Sequence, residues 1–373
     1  MQDDADAAIW LRFALVPGIG PRRQLGLLQA FKTPQTALAA SFYDISNVLD
    51  NEKLARSWCD AAQAAVHDSV TQALAWAQEP GCRILTMSDA DYPPALLELP
   101  DAPCVLFCLG DTDLLARDAL AIVGSRNATP QGLENAERFA ETLSQSGMGI
   151  VSGLAAGIDA AAHRGGLTGS GGTVAFVGTG LDRVYPASNR ALAHQIAEQG
   201  LIVSEFALGT APKPENFPRR NRLIAALAKG CLVVEATIGS GSLITARQAN
   251  DLGREVFAIP GSIHSPQAKG CHQLIKQGAK LVECAEDIQS ELCWDSSSPQ
   301  RSPSPAPATS QWQDELQGEE RLVIPHMGFD AVTIDELAVR SSLTADRLCA
   351  ILLGLELKGA VFALPGNRYQ RRV

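Results

Sequence analysis

Long apolar runs are missing from this sequence. No stretch of about eighteen apolar residues occurs, which excludes a membrane-spanning helix of ordinary length. The N-terminal residues Met-Gln-Asp-Asp-Ala-Asp are acidic and lead into no apolar core of the secretory-signal type. We therefore expect a cytoplasmic protein with no membrane partner.

Paired cysteines are also missing. The nine cysteines are odd in number and contain no Cys-x-x-Cys pair; only Cys104 and Cys108 stand close together. This pattern favours reduced thiols in the core over a disulfide framework. A zinc site at Cys104 and Cys108 is the minor alternative. We predict neither a metal site nor a cofactor.

The chain has no general excess of positive charge. Its formal net charge of -10 argues against nucleic-acid binding over the whole surface. One local basic cluster exists between Lys213 and Arg222, where four Lys or Arg residues accompany a single acid, Glu215. A polyanion contact is therefore expected at this cluster.

Two common nucleotide-binding motifs are absent. No G-x-x-x-x-G-K-[ST] sequence occurs, and the first buried strand leads into Gly-Ser-Arg and not into G-x-G-x-x-G. The sequence therefore gives no indication of P-loop NTP hydrolysis or of the standard dinucleotide site.

Strands and helices alternate regularly between residues 119 and 292. Apolar runs without polar alternation indicate strands buried on both faces, and helices between them indicate crossovers. The fold class predicted is α/β, with a Rossmann-like, doubly wound and mostly parallel sheet. The predicted strands are Leu120–Val123, Gly149–Val151, Val174–Val177, Leu201–Val203, Cys231–Val234 and Val256–Ile259, with one or two more between Arg83 and Gly110.

Other segments flank this sheet. Residues 1–80 have helical periodicity and contain a helix-hairpin-helix-like turn, Leu15–Arg23, which either packs the domain or contacts a phosphate. The sheet domain is predicted over 81–295 and a Ser/Pro-rich linker over 296–314. A winged helix follows over 315–373, with two helices and a hairpin turning at Pro365-Gly366-Asn367.

Small and polar residues follow the predicted strands at the edge where a parallel sheet collects ligands. Glycines there allow a phosphate to approach the backbone, and hydroxyl or amide groups donate hydrogen bonds to it. These loops predict a phosphate-shaped or nucleotide-shaped cleft. The candidate residues are Gly124, Ser125, Arg126, Ser152, Gly153, Gly180, Ser240, Gly241 and Ser242.

The segment Phe217 to Arg222, Phe-Pro-Arg-Arg-Asn-Arg, is predicted to lie where a loop becomes a helix. Guanidinium groups match phosphate oxygens, and an exposed Phe offers a face to an unpaired base. The residues predicted to act here are Phe217, Arg219, Arg220, Asn221 and Arg222. A solvated basic helix start is the alternative interpretation.

Taken together, these motifs closely resemble the DNA processing protein A (DprA/Smf) family over nearly the whole chain. The matching segments are Ala121–Arg126, Val151–Asp159 with His163, Gly178–Asp182 with Tyr185, Pro186 and Asn189, Phe217–Arg222, Ser240–Ala246, and Gly253-Arg254 with Pro260-Gly261. Ala207, Gly166 and His272 depart from residues common in the family.

The resemblance implies a homodimer that binds single-stranded DNA, helps load the RecA recombinase in natural transformation, and has no catalytic residues. It also implies a sterile-alpha-motif-like N-terminal domain. Carried over by position, Arg126 contacts a phosphate, Phe217 meets a base, and Arg220 and Arg222 line the groove. The loop residues Ser152, Gly153, Gly180, Ser240 and Gly241 supply backbone or hydroxyl contacts, with Lys213 and Lys276 as further phosphate partners.

Three alternatives remain open at this stage. A related enzyme class, the lysine-decarboxylase-like nucleotide-processing proteins, is disfavoured because Ser242–Arg247 contains no glutamate. A duplex-binding regulator is disfavoured because seven acids balance seven Lys or Arg residues from Glu319 onward. Asp159 and His163, four residues apart, are interpreted as a helix-capping Asp and a His bonded to a neighbouring loop and not as catalytic groups.

Overall fold

The computed structural model describes residues 4–61, 65–294, 316 and 318–372. Contacts divide the chain into two compact units. The first comprises Met1–Ala128 and Gly132–Ser296, and the second comprises Thr129–Gln131 and Ser297–Val373. The predicted linker at 296–314 lies outside the described residues.

The first unit begins with helices, as the periodicity predicts. Bulky residues of these helices, including Trp10, Phe13 and Trp58, share one hydrophobic cluster with Val105 and Phe107 of the sheet. The domain boundary predicted at residue 80 stays a prediction, because both segments belong to one compact unit. The helices are α1 (Asp4–Ala14), α2 (Pro21–Phe31), α3 (Pro34–Leu38), α4 (Phe42–Leu49), α5 (Glu52–Ala61) and α6 (Ala65–Ala77).

A nine-stranded sheet follows. The strands are β1 (Cys82–Thr86), β2 (Val105–Gly110), β3 (Ala119–Val123), β4 (Gly149–Ser152), β5 (Thr173–Phe176), β6 (Leu201–Ser204), β7 (Gly230–Val233), β8 (Glu255–Ala258) and β9 (Lys280–Leu281). Their spatial order is β1-β2-β6-β5-β4-β3-β7-β8-β9. Strand β2 pairs antiparallel with both neighbours, and all other pairs are parallel. The predicted mostly parallel α/β fold is confirmed, including the two additional strands between Arg83 and Gly110.

Helices cover the sheet and bury its faces. Residues of β3, β4, β5 and β7 are buried throughout, which explains why their sequences are uninterrupted apolar runs. The helices of this region are α7 (Pro94–Leu97), α8 (Pro130–Gln145), α9 (Ile158–Gly166), α10 (Arg190–Gln199), α11 (Asn216–Leu227), α12 (Ser242–Asp251), α13 (Lys269–Lys276) and α14 (Ala285–Glu291).

The second unit has the predicted winged-helix elements. They are α15 (Glu320–Met327), β10 (Val332–Thr333), α16 (Ile334–Ser341), α17 (Ala345–Leu357), β11 (Val361–Leu364) and β12 (Arg368–Arg371). The β11–β12 hairpin turns where expected, with Gly366 and Asn367 at positive φ. Thr333 caps α16 and forms a capping box with Glu336, which fixes the start of that helix.

Candidate nucleic-acid interface

A cleft of about 250 Å³ lies at the carboxyl ends of β3, β4 and β5. Three successive loops and one helix build it: the loop after β3 supplies Arg126, the loop after β4 supplies Gly153, and the loop after β5 supplies Gly178. Helix α11 contributes Phe217 and Arg220. These loop residues therefore lie together with Phe217 and Arg220 of the basic segment, as the sequence predicts.

The Phe217 ring is the centre of this cleft. Its centroid lies 5.6 Å from the Tyr185 ring, at an interplanar angle of 39°. The Arg126 guanidinium lies 5.2 Å from the Phe217 centroid, within the range of a cation–π interaction. A Cβ atom at Gly178 would stand 3.3 Å from the same ring, so glycine allows the ring to lie close over the loop. The result is a partly exposed aromatic surface with one cation beside it.

Arg220 lies at the floor of the cleft and is nearly fully buried. Its Nη1 donates hydrogen bonds to the carbonyl oxygens of Gly153 and Phe176, the latter at 2.6 Å. Burial lowers the pKa of Arg220 to about 10, against the opposing influence of Asp159. Arg220 thus lines the cleft, and its guanidinium also ties the ends of β4 and β5 together. Its predicted contact with DNA stays a prediction.

Arg222 points away from the cleft. Its side chain is 7% exposed and forms ion pairs with Glu205 at 2.5 Å and Asp101 at 3.2 Å. Arg222 is therefore an ion-pair partner that does not line this cleft, and its predicted contact with DNA stays a prediction. Arg219, which is 46% exposed, lies 3.6 Å from Glu205 and covers the Phe206 ring. Sequence reasoning missed Glu205, since no motif links it to the arginines.

Several loop groups that were expected to meet a phosphate are already used inside the fold. The Ser152 hydroxyl donates to the Ile122 carbonyl at 2.6 Å and is fully buried. The Gly180 amide donates to Thr210, and the Ser125 amide donates to Glu235. Gly124 packs against Ile158 so closely that a Cβ atom would overlap it. These four residues therefore have roles inside the fold, and their predicted ligand contacts stay predictions.

The loop before α12 joins the cleft through Asn221. The Asn221 side chain accepts from Arg220 Nε at 3.0 Å and donates to the Gly241 carbonyl at 3.5 Å. The hydroxyls of Ser240 and Ser242 lie 2.8 Å apart at the start of that helix. Gly241 is exposed. The predicted grouping of this loop with the basic segment is therefore observed.

The two candidate lysines lie in different places. Lys213 is exposed and lies three residues before the start of α11, whose first residue, Asn216, donates its amide to the Lys213 carbonyl. Lys276 is the last residue of α13, which connects the parallel strands β8 and β9. Because such a crossover helix runs antiparallel to its strands, Lys276 lies toward their amino ends. The structure does not place Lys276 with the cleft residues.

His163 bonds to a neighbouring loop, as the sequence predicts, whereas Asp159 does not cap α9, whose N-cap is Gly157, and bonds instead to the preceding loop. His163 Nε2 accepts from the Leu154 amide at 3.2 Å, and Nδ1 lies 2.7 Å from the Thr173 hydroxyl, which donates to Ile150. Asp159 accepts from the Ala155 amide at 3.4 Å, and burial raises its pKa. Burial lowers the pKa of His163 to about 3, so the imidazole is neutral near pH 7.

This network predicts a pH-dependent stability. Below pH 6.5 the unfolded chain protonates His163 whereas the folded chain resists protonation until about pH 3, so stability falls as pH falls between these values. We expect His163→Gln to flatten the slope of unfolding free energy against pH by about 1.4 kcal/mol per unit in this window, measured by urea denaturation. Asp159 is present in both proteins, so the difference isolates His163. Equal slopes would contradict the assignment.

The other predicted features concern thiols and metals. All nine cysteines lie in the described residues as free thiols, and burial raises the pKa of Cys104 and Cys108 to about 12. Among residues 4–61, 65–294 and 318–372, no group of three or more His, Cys, Asp or Glu side chains is arranged to hold a metal ion. Over the same part of the chain, no helix has both the length and the apolar character needed to cross a bilayer.

Comparison with known proteins agrees with this geometry. The model of the DNA recombination-mediator protein A family matches residues 83–293, and the DprA winged helix domain matches residues 304–367. Protein Smf of Escherichia coli K12 is 40% identical over 309 residues, covering 82% of this chain and 81% of that protein. DNA processing protein DprA of Streptococcus pneumoniae R6 is 47% identical over 204 residues, covering 55% of this chain and 72% of that protein.

Two solved structures are also similar. The crystal structure of DprA from Streptococcus pneumoniae matches with a TM-score of 0.66 at 36% identity, covering 75% of this chain and 95% of that one. DNA processing protein A from Helicobacter pylori, whose structure is described for its single-stranded DNA binding mode, matches with a TM-score of 0.52 at 31% identity, covering 57% and 96%. The chain belongs to the DNA recombination-mediator protein A (DprA/Smf) family.

Proposed function

We propose that this chain binds single-stranded DNA in the Phe217 cleft and catalyses no reaction there. The observation that carries the proposal is the arrangement of Tyr185, Phe217 and Arg126 at the open ends of three parallel strands. Every nucleobase has a π-face, so such a surface accepts unpaired bases of any sequence, while duplex bases are unavailable. The single-stranded DNA binding mode described for the Helicobacter pylori relative supports the same function here.

The Arg126 cation beside the rings can bind the phosphate next to a stacked base. Arg126 is exposed, and Lys213 stands exposed before α11. Both can exchange counterions for phosphate oxygens, which is how a chain of net charge -10 can bind a polyanion locally. Arg220 contributes by holding Gly153 and Phe176 in place under the cleft.

The cellular role that this binding supports is the protection of incoming strands and the loading of RecA recombinase during natural transformation, by a homodimer. The family's description as a recombination mediator supports this role. It is tested by following RecA filament assembly on coated single strands with and without the protein, and by sedimentation of the protein alone. If RecA filaments assemble equally well with and without the protein, the proposed RecA role is wrong, whereas the proposal of strand binding stands.

Substitution of the aromatic and cationic groups tests the cleft. We expect Phe217→Ala and Arg126→Ala each to weaken binding of a single-stranded oligonucleotide by about 1–3 kcal/mol, the usual contribution of one stacked base or one charged hydrogen bond. The measurement is fluorescence anisotropy, with the matching duplex as a second probe.

Matched controls are available on other surfaces. Tyr43→Ala removes a ring that is 72% exposed in α4, and Lys229→Ala removes a cation from the amino end of β7. Both variants should bind as the unmodified chain does. If Phe217→Ala and Arg126→Ala also bind normally, the cleft is not the site.

A further inference from the structure

A second groove lies beside the Phe217 cleft and has no role in the function described so far. It has a volume of about 460 Å³. One wall is α10, where Ala193 and Ala197 leave space, and the other is the loop 181–187. The floor is apolar and includes Leu154 and Ile202, which belong to the hydrophobic cluster under α10.

The rim of this groove is cationic. Its positive charge comes from Arg183 and Arg190; His194 also lines the rim, and Asp182 is the single acid among the lining residues. Asp182 is already engaged, since its Oδ1 accepts from the Gly209 amide at 2.7 Å and its Oδ2 lies 3.3 Å from Arg183 Nε.

The other two basic side chains are differently placed. Arg190 and His194 lie four residues apart on one face of α10. Within the described part of the chain, no hydrogen bond or ion pair engages either side chain. Positive charge at this rim is therefore available to an anion.

The groove and the cleft are neighbours that share two lining residues. Tyr185 and Val177 line both of them, and the Tyr185 ring is the one that lies beside Phe217, tilted by 39°. A strand with one base on Phe217 would thus pass Tyr185 to reach the groove. There it would meet an apolar floor for a base or sugar and a cationic rim for the phosphate, which is the pairing of features that single-strand channels use.

We propose that this groove is a second nucleotide subsite, which takes the neighbouring nucleotide of the strand held at Phe217; the inference rests on the proposed function. Arg190 and His194 bind its phosphate, and the surface around Leu181 and Val184 receives its base or sugar. The groove thereby extends the binding path along the sheet edge toward α10.

The test compares strands of two lengths. A strand of about 3 nucleotides reaches little beyond the cleft, whereas one of about 12 nucleotides spans both cavities. We expect Arg190→Gln/His194→Gln to weaken binding of the longer strand about three- to tenfold, with Arg190→Glu/His194→Gln weaker still. The log–log salt slope of the longer strand should become shallower by about 0.7 for each phosphate that the variant no longer neutralises. The shorter strand should bind with little change.

The controls separate this inference from the proposed function. Lys229→Ala, a cation removed at the opposite edge, should leave affinity and salt slope unchanged for both lengths, and Phe217→Ala should weaken both. Thermal unfolding of each variant checks that the fold is retained. If the groove variants match Lys229→Ala while Phe217→Ala still loses affinity, the second subsite is overturned and the cleft stands. If Phe217→Ala binds both strands normally, the proposed function fails, and the subsite fails with it.

Discussion

Arg220→Ala is expected to lower the free energy of unfolding by about 3–5 kcal/mol. The substitution leaves the carbonyls of Gly153 and Phe176 without their buried donor. It also removes the positive charge that offsets the buried Asp159 carboxylate. The measurement is the urea midpoint and slope at neutral pH.

The adjacent Arg219 provides the control for this substitution. Its side chain is half exposed, so Arg219→Ala should lower the free energy of unfolding by less than about 1 kcal/mol, as is usual for a surface ion pair. Arg220→Lys keeps the charge but cannot reproduce the planar guanidinium fork. Its loss of unfolding free energy should therefore lie between the losses of Arg219→Ala and Arg220→Ala. A stability of Arg220→Ala equal to that of Arg219→Ala would mean that the guanidinium does not hold the strand ends.

Arg222→Ala is expected to be similarly destabilising, by about 3–5 kcal/mol, because it leaves Glu205 buried without its nearest cation. Burial raises the pKa of Glu205, and Arg222 is the main influence that counters this rise. The double replacement Arg222→Met/Glu205→Leu removes both charges and fills a similar volume. It should recover at least half of the lost stability.

Strand binding by the same double variant separates a structural role from a ligand contact. The folded double variant should bind single-stranded DNA as the unmodified chain does, because Arg222 faces Glu205 and Asp101 and not the cleft. If the double variant lost as much affinity as is expected for Phe217→Ala, Arg222 would have to contact the bound strand, which contradicts this prediction. Denaturant titration establishes the folded fraction before each binding measurement.

The strands could be predicted from sequence because their burial is nearly complete. A strand such as Leu120–Val123 is covered on both faces, so its sequence contains no polar alternation to confuse the pattern. The antiparallel placement of β2 between β1 and β6 could not be predicted in the same way. Pairing partners far apart in sequence leave no local signal in a single chain.

The start of α11 explains why the three arginines were difficult to assign. The apolar run suggested a helix beginning after Arg222, but the helix begins at Asn216 and carries the whole basic segment. With that start, Phe217, Arg220 and Ile224 lie on one side of α11, at spacings of three and seven residues. Arg222 lies on another side of the helix and pairs with Glu205. The position of the helix start, and not residue type, therefore decides that Phe217 and Arg220 reach the cleft.

The sequence predicted that the loop residues lie at strand ends, and their roles toward a ligand stay predictions. Glycines and hydroxyls at strand ends serve either a ligand or the close approach of neighbouring segments, and one sequence does not distinguish the two. Ser152 and Gly180 prove to serve the fold. Tyr185 was part of the matching family segments, but the sequence did not predict that its ring would lie beside Phe217.

The use of ring faces in the cleft has a consequence for which DNA the chain would accept. A ring face of Tyr185 or Phe217 meets a methylated cytosine and an unmodified one in the same way, because the marks that label a genome as native sit on the edges of bases. On the proposed function, the protein is blind to the origin of a strand. Any choice between self and foreign DNA then has to be made by other proteins, before the strand arrives or after it leaves.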